Sequence, residues 1–230
     1  MSNPLDNPVW YALKGPLSHF ATGSADGRAV GFTREVSIFD AVEHLDAEGW
    51  EALSQLVGVG GAVFLFRDEV PAVPEGWKEL ARVPTLQLVA GDLAPVPELE
   101  VARLVEADVS EMVALAKLTE PGPFLPGTPR LGTYVGVRNQ GRLVAMAGER
   151  FQPRGWTEIS AVCTHPDARR RGLAASLSLW MARHIKERGD DVFLHVVEAN
   201  TQARKLYESI GFVTRRAVEV VGALWTGEGA

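Results

Sequence analysis

The chain has 230 residues, of which 46% are hydrophobic and 23% charged, and its single cysteine, Cys163, excludes an internal disulfide framework. Its net charge of −6 argues against a partner of duplex nucleic acid, because such binding depends on cations that neutralise phosphates. No run of 18 apolar residues occurs and the first residues lack a secretory signal, so we expect no membrane partner and a cytoplasmic location.

The first 95 residues are acidic, with 6 Lys and Arg against 13 Asp and Glu, whereas residues 96–230 carry 17 against 16. Helical spacing of apolar residues predicts a helix over 47–57, and apolar runs predict strands over 62–66 and 85–89. A Pro- and Gly-rich connector over 91–97 coincides with the change in charge. We therefore predict two domains, 1–95 and 96–230.

After residue 95 strands and helices alternate. The patterns predict a strand over 99–105, a helix over 108–118, strands over 133–138, 142–151 and 157–164, a helix over 172–188, a strand over 192–197, a helix over 201–210 and terminal strands over 212–225. This order predicts a mixed α/β fold built from packed layers. The five histidines show no metal-ligand spacing, so we expect no metal.

A basic, glycine-containing segment stands between a predicted strand and a predicted helix: Arg169, Arg170, Arg171, Gly172, Leu173 and Ala174. A helix N-terminus carries unpaired backbone N–H groups and partial positive charge. The small residues Gly172 and Ala174 would let a ligand approach that backbone, and the arginines would add charged hydrogen bonds. The segment predicts a pyrophosphate site, and the alternative is a solvated basic turn.

A second pattern runs from Asn200 to Phe212. Ala203, Leu206 and Tyr207 follow helical spacing, and Gly211 would end the helix. Taken alone, this pattern is also typical of an ordinary amphipathic helix in which Tyr207 is a packed aromatic residue.

Together, the two patterns resemble the GNAT superfamily of N-acetyltransferases over residues 98–225. Arg169-x-x-Gly172-x-Ala174 is similar to the pyrophosphate loop of that family, and 200–212 is similar to its N-x-x-A-x-x-L-Y-x-x-x-G-F signature. The resemblance implies a GNAT-type acyl-CoA N-acyltransferase fold. The layout of the whole chain resembles glycine-acyltransferase-like proteins, which implies that residues 1–95 form a smaller, degenerate GNAT-like domain without catalytic residues.

The same resemblance implies binding roles for residues along the groove of the family fold. The backbone of Val162, Cys163 and Thr164 would bind the pantetheine arm of acetyl-CoA, and residues 169–174 would bind its pyrophosphate. Asn200 would contact the pantetheine arm or the side of the groove that holds the cofactor. Tyr207 would protonate the departing thiolate, because a phenol with a pKa of about 10 is a plausible donor to a thiol of pKa about 8.5.

The sequence offers several candidates for the base that removes the amine proton. Glu158 is the first candidate and Glu149 the second, and the alternative for each is a strand carboxylate in a polar pair. His165 and His195 are further candidates, although His195 stands among apolar strand residues, where a hydrogen-bonded core histidine is expected. For Cys163 we expect a buried structural role, since no adjacent base is evident.

The activity implied by the resemblance is direct transfer of an acetyl group from acetyl-CoA to an amine of a small molecule or peptide, by a monomer or homodimer. Two alternatives stay open: a non-catalytic CoA-binding sensor, and an acyltransferase that uses another acyl-CoA. The acidic first segment would either attract a cationic amine or serve solubility alone.

Overall fold

The computed structural model describes residues 3–227, which form five α-helices and eleven β-strands. In chain order these are α1 (Pro8–Leu13), β1 (Ala21–Gly23), β2 (Ala29–Phe32), β3 (Asp40–Val42), α2 (Ala47–Val57), β4 (Ala62–Arg67), β5 (Trp77–Ala90), β6 (Ala102–Arg103), α3 (Val109–Thr119), β7 (Tyr134–Asn139), β8 (Arg142–Glu149), β9 (Trp156–Thr164), α4 (Leu173–Glu187), β10 (Asp191–Val197), α5 (Thr201–Ser209) and β11 (Phe212–Trp225). Strands and helices are mixed, as the fold-class prediction requires.

All eleven strands join one sheet in the order β1-β2-β3-β4-β11-β5-β10-β9-β8-β7-β6. Strand β5, from the acidic first segment, lies between β10 and β11 and pairs with both in antiparallel register. The sheet is therefore continuous across residue 95. The predicted division into domains at that residue stays a prediction, and no break in strand pairing marks it.

Helix α4 covers one face of the sheet with a stripe of fully buried residues, Leu177, Met181 and Ile185. These pack with apolar residues of β8, β9 and β10 to form the core of the second segment. Gly172 caps the helix with a φ of 74°, and Gly189, with a φ of 92°, follows its end. Both values lie in the left-handed region that glycine adopts without steric cost.

A second core is rich in phenylalanine and joins the two segments of the chain. Phe151 stacks against Phe32 with ring centroids 5.9 Å apart, and meets the edges of Phe39 and Phe66 at 5.4 and 5.6 Å. Phe151 follows β8, whereas the other three rings belong to residues 1–95. Burial of these rings therefore ties the first segment to the second.

Two predicted strands differ in extent from the structure. The strand predicted over 99–105 is only Ala102–Arg103, although Leu99 and Val101 still pack against the core around α4. The strand predicted over 85–89 is longer, because β5 pairs with β11 along most of its 14 residues. Several terminal strands were expected over 212–225, but the segment is a single strand with two register shifts.

No described helix is both long and apolar enough to span a bilayer.

Candidate active site

The sheet opens between the neighbouring parallel strands β9 and β10. Their pairing runs from Trp156 and Asp191 to Ile159 and Leu194 and goes no further, although β9 continues to Thr164 and β10 to Val197. Beyond Ile159 the residues Ala161 and Val162 both stand opposite Ala147 of β8, which is a β-bulge. Ala161 has a φ of 53°, a value uncommon for a residue other than glycine. The bulge bends β9 away from β10 and leaves a split.

Two cavities adjoin at this split. The first, which we call the aromatic cavity, has a volume of about 410 Å³ and is lined by both edges of the split and by phenylalanines of the first segment. The second, which we call the helix-end cavity, measures about 390 Å³ and is lined by the end of β9 and the start of α4. Both are lined by Glu120, Pro121, Val162, Asn200 and Ala203. They therefore form one groove through the sheet.

The start of α4 offers unpaired donors to the helix-end cavity. The backbone N–H groups of residues 170–175 make no hydrogen bond within the part of the chain that the structure describes. Arg170 and Gly172 have φ values of 62° and 74°, and a Cβ added at Gly172 would meet no atom within 4 Å. Unpaired N–H groups beside left-handed residues form a concavity that binds anions.

The predicted pyrophosphate residues are brought together, with one exception. Arg169, Arg170, Gly172, Leu173 and Ala174 line the helix-end cavity. The guanidinium of Arg171 instead donates to the carbonyl of Asp167 at 3.3 Å, and Arg171 is not part of the lining. The side chain of Arg169 donates to the carbonyl of Thr164 at 3.3 Å, which links the end of β9 to the loop.

Val162, Cys163 and Thr164 all line the helix-end cavity. The hydroxyl of Thr164 is buried and has no hydrogen-bond partner among the described residues, as expected of a group that pairs with a bound ligand. Burial raises the pKa of the Cys163 thiol to about 11, against the smaller opposing effect of hydrogen bonds with Thr119 and the Met146 backbone. A thiol with that pKa is a weak nucleophile near neutral pH.

Asn200 and Tyr207 belong to the same helix and both face the groove. Asn200 caps α5 by accepting a hydrogen bond at 3.0 Å from the N–H of Ala203. Tyr207 lines the aromatic cavity and meets Phe212 edge-on at 5.9 Å. Burial raises the pKa of Tyr207, and the nearby Cys163 adds to the effect, so the phenol keeps its proton. The structure thus presents a protonated hydroxyl beside the split.

Glu158 is fully buried behind the wall of the aromatic cavity and does not line it. Arg150 donates to it through Nε and Nη2 at 2.9 and 2.6 Å, and Nδ1 of His195 lies 2.7 Å from Oε1. Burial alone would raise the pKa of Glu158, but the charge of Arg150, with His195, lowers it to about 2. A carboxylate paired in this way has little tendency to accept a proton near neutral pH.

His195 is held by hydrogen bonds on both sides of its ring. Its Nε2 lies 3.2 Å from Nε2 of Gln87, whose amide oxygen accepts from Arg215 at 2.7 Å. That bond assigns the amide nitrogen of Gln87 to the side facing His195, so the Nε2 atom of His195 accepts and its Nδ1–H donates to Glu158. Both ring nitrogens have partners, as in the hydrogen-bonded core histidine that the sequence predicts.

The remaining candidates lie away from the groove. Glu149 is buried, with Oε1 2.8 Å from Nη1 of Arg188 and Oε2 accepting from the N–H of Thr133 at 3.1 Å, and it lines neither cavity. Nδ1 of His165 accepts from the N–H of Asp167 at 3.2 Å. No group of three or more His, Cys, Asp and Glu side chains suited to a metal ion occurs within residues 3–227.

Sequence reasoning missed the residues that complete the aromatic cavity. Arg150 lines it and stacks on Phe39, Phe66 and Phe151, with its guanidinium carbon 4.4 to 5.3 Å from the ring centroids. The sequence predicts strands over 142–151 and 157–164 but not their register, and it is that register which places Arg150 beside Glu158. The phenylalanines came from the first segment, where nothing in the sequence indicated a common wall.

The fold agrees with that of known proteins. The family described as FR47-like protein matches residues 134–221. A solved structure from Novosphingobium aromaticivorans, described as an acetyltransferase from the GNAT family, is 38% identical, with a TM-score of 0.87 over 97% of this chain and 99% of its own. The chain therefore belongs to the GNAT family. The predicted resemblance is confirmed, and the similarity extends over residues 1–95 as well.

Two curated relatives are mycothiol acetyltransferases. Those from Thermobispora bispora and Thermomonospora curvata are 42% and 37% identical over 93 and 91 residues, or 40% and 39% of this chain. These matches span 30% of the length of each relative. A GCN5-related N-acetyltransferase from Kribbella flavida shares the fold, with 21% identity and a TM-score of 0.67 over 93% of both chains.

Proposed function

We propose that this protein is an N-acetyltransferase that transfers the acetyl group of acetyl-CoA to an amine. The observation that carries the proposal is the split between β9 and β10, which ends at the unpaired N–H groups opening α4. The helix-end cavity suits the pyrophosphate, since Gly172 leaves the backbone open to a close approach. The buried hydroxyl of Thr164 suits a polar group of the pantetheine arm.

The chemistry follows from the order of groups along the groove. With the pyrophosphate at α4, the pantetheine arm passes Val162 and brings the thioester to the aromatic cavity, where Tyr207 lies. Backbone N–H groups near the bulge of β9 polarise the carbonyl of the thioester. The amine attacks that carbonyl, the carbon–sulfur bond breaks, and Tyr207 gives its proton to the thiolate. Burial raises the pKa of Tyr207, which keeps the phenol protonated but also makes it a weaker acid, so the transfer relies on the same buried surroundings raising the pKa of the departing thiol.

We assign Glu158 a positioning role. Its carboxylate holds Arg150 and His195, and both of these line the aromatic cavity while Glu158 does not. A pKa of about 2 makes Glu158 a poor base near neutral pH. Glu149, the second base predicted from the sequence, is paired with Arg188 and lies outside the lining.

The first 95 residues take part in the acceptor side of the site in this proposal. Ile38, Phe39, Phe64 and Phe66 supply one wall of the aromatic cavity. The front segment thus shapes the substrate cleft without contributing a group to the acetyl transfer. The mycothiol-related acceptor that the names of the curated relatives suggest is one candidate for this chain.

Activity assays with acetyl-CoA and a panel of amines test the proposal. The panel includes amino acids, peptides, alkylamines and a mycothiol-related amine, with CoA thiol release followed by a thiol reagent and the product identified by mass spectrometry. We expect thiol release coupled to a mass gain of one acetyl group on the acceptor. Calorimetric binding of acetyl-CoA without turnover on any amine would instead favour a CoA-binding sensor. Parallel assays with longer acyl-CoA donors test which acyl group the protein transfers.

A further inference from the structure

The part of the aromatic cavity farthest from α4 is apolar. It is lined by Ile38, Phe39, Phe64, Phe66, Val83 and Val220. Thr85 is the polar residue on this side, and its hydroxyl already donates to the carbonyl of Val83 at 3.1 Å. A ligand body that occupies this region therefore meets hydrocarbon, ring faces and the guanidinium of Arg150, which packs on Phe39 and Phe66 and is already paired with Glu158. Such a wall favours an apolar or aromatic group over a sugar or a peptide backbone.

Glu120, an exposed acidic residue, lines the aromatic cavity where it adjoins the helix-end cavity. It follows α3, lines both cavities, and has a φ of 48°. Its side chain makes no hydrogen bond or ion pair with any residue between 3 and 227. Its left-handed backbone conformation ends α3 at the point where the two cavities adjoin.

The other charged groups of the lining are already paired. Arg150 is the second charged residue that lines the aromatic cavity, and Glu158 neutralises it through two hydrogen bonds. His195 is held by Glu158 and Gln87. Among the described residues, the unpaired charge that faces the cavity is therefore negative, and it attracts a cation.

We infer that the acceptor is a small primary amine on an apolar, ring-sized body, with its ammonium group held by Glu120. This inference rests on the proposed function. The body packs against the phenylalanines and the nitrogen points toward the junction where the thioester arrives. A cavity of about 410 Å³, shared with the acetyl end of the donor, suits a small molecule.

Glu120 also completes the proton balance of the reaction. An alkylammonium with a pKa of about 10.4, the value for lysine, is protonated at neutral pH and must lose a proton before it attacks. The Glu120 carboxylate takes that proton, directly or through one water. The free amine then forms the carbon–nitrogen bond, the carbon–sulfur bond breaks, and the thiolate receives the proton of Tyr207. The nitrogen loses its second proton as the amide forms, and this proton restores Tyr207. Solvent accepts the proton on Glu120, so that one proton is released for each ammonium converted to an amide.

Matched amines test the acceptor class. We expect kcat/KM for 2-phenylethylamine to exceed that for ethanolamine by about 10-fold or more, because only the ring buries apolar surface in the cavity. Val83→Trp and Ala81→Phe fill the cavity from β5 and should remove this preference while acetyl-CoA still binds in calorimetry. Leu80→Trp on the same strand, 49% exposed and outside the lining, is the control and should keep the preference.

Substitution of Glu120 tests its role. Glu120→Gln should lower kcat/KM for 2-phenylethylamine by about 10-fold or more and move the pH profile to higher pH, because deprotonation then depends on solvent. Glu120→Asp should restore part of the activity, and Glu106→Gln, an exposed residue before the start of α3, should change nothing. All variants should bind acetyl-CoA like the wild type.

The outcomes separate the two proposals. Turnover of ethanolamine at the same efficiency as the ring amine, or an unchanged pH profile in Glu120→Gln, would overturn the inference and leave the acetyltransferase proposal intact. Release of no CoA thiol with any amine, despite acetyl-CoA binding, would overturn both.

Discussion

The Nδ1 atom of His195 lies 2.7 Å from Oε1 of Glu158, and this contact belongs to a chain of polar groups that crosses the protein. Gln87 faces the other ring nitrogen of His195, Arg215 donates to Gln87, and Asp6 accepts from Arg215. The members come from β9, β10, β5, β11 and the first turn of the chain. Residues at the cavity wall are therefore oriented through groups more than 200 positions apart in sequence.

Glu158→Gln should destabilise the protein near neutral pH. The substitution leaves the charge of Arg150 buried without its partner, and we expect a loss of about 3–5 kcal/mol in the free energy of unfolding by urea. Glu219→Gln, which breaks a partly exposed pair with Arg82, is the control and should cost less than about 1 kcal/mol.

The pair of Glu158 and Arg150 should also make the free energy of unfolding depend on pH in the acidic range. The pKa of Glu158 is lowered from its ordinary 4.5 to about 2 in the folded state, so its contribution is complete above pH 4.5 and is lost as the pH falls toward 2. Stability of the wild type should drop more steeply over that range than stability of Glu158→Gln. If Glu158 only positions its neighbours, the pH–rate profile of the variant should keep the shape of the wild type, whereas loss of the acidic limb would return the base role to Glu158.

Tyr207→Phe should lower kcat by about 100-fold or more, because the thiolate would leave without a proton donor. The Kd for acetyl-CoA, measured by calorimetry, should change little. Tyr134→Phe is the matched control: that tyrosine is also buried, its hydroxyl has no partner, and it lines neither cavity. Equal rates for Tyr207→Phe and the wild type would remove the acid from the mechanism.

Gly172→Glu should abolish acetyl-CoA binding, since a carboxylate would stand where the pyrophosphate is expected. Both Gly172 and Gly189 have positive φ and open space around the position of a Cβ, so Gly189→Glu carries the same backbone strain at the far end of α4. Calorimetry on the two variants separates charge at the loop from strain. Equal affinity in both would show that this corner does not hold the pyrophosphate.

Thr164→Val should weaken acetyl-CoA binding several-fold without loss of stability. The hydroxyl of Thr164 is buried without a partner among residues 3–227, so its removal should be neutral or stabilising for the free protein. A lost hydrogen bond to the ligand should cost about 0.5–1.5 kcal/mol in binding. Thermal unfolding with and without acetyl-CoA measures both effects, and an unchanged ligand-induced shift in Tm would contradict the assignment.

Asp40→Asn should flatten the pH dependence of stability between pH 4 and pH 7. Burial raises the pKa of Asp40 from 3.8 to about 7, against the opposing charge of Arg34. The folded state then holds a proton that the unfolded chain releases, so stability falls as the pH rises through this range. Urea unfolding at pH 5 and pH 8 tests the difference, with Asp191→Asn, at an exposed position, as the control.

Local signals in the sequence located the elements that hold the donor. Helix α4 was predicted within one residue at each end because glycines flank it and its apolar stripe follows helical spacing. Helix α5 was equally clear from its Asn200 cap. Short-range patterns therefore predict where α4 begins and on which helix Tyr207 lies, and the pyrophosphate role of the loop stays a prediction.

Long-range pairing was not predictable in the same way. The partner of Glu158 depends on how β8 and β9 align, and the length of β5 depends on its register with β11. The positive φ of Glu120, which lines both cavities, follows a helix that has no glycine at its C-cap to indicate it. These features arise from tertiary contacts that no local pattern encodes.

The position of β5 between β10 and β11 determines how this enzyme could be shortened. Adjacent strands lie about 4.8 Å apart, so a chain that began at residue 96 would have a gap of about 10 Å between β10 and β11, too wide for hydrogen bonds to cross. Both strands would then present bare edges, which are templates for association with other chains. Attempts to express residues 96–230 alone should therefore yield aggregates or strand-exchanged oligomers, because the missing strand belongs to the first 95 residues.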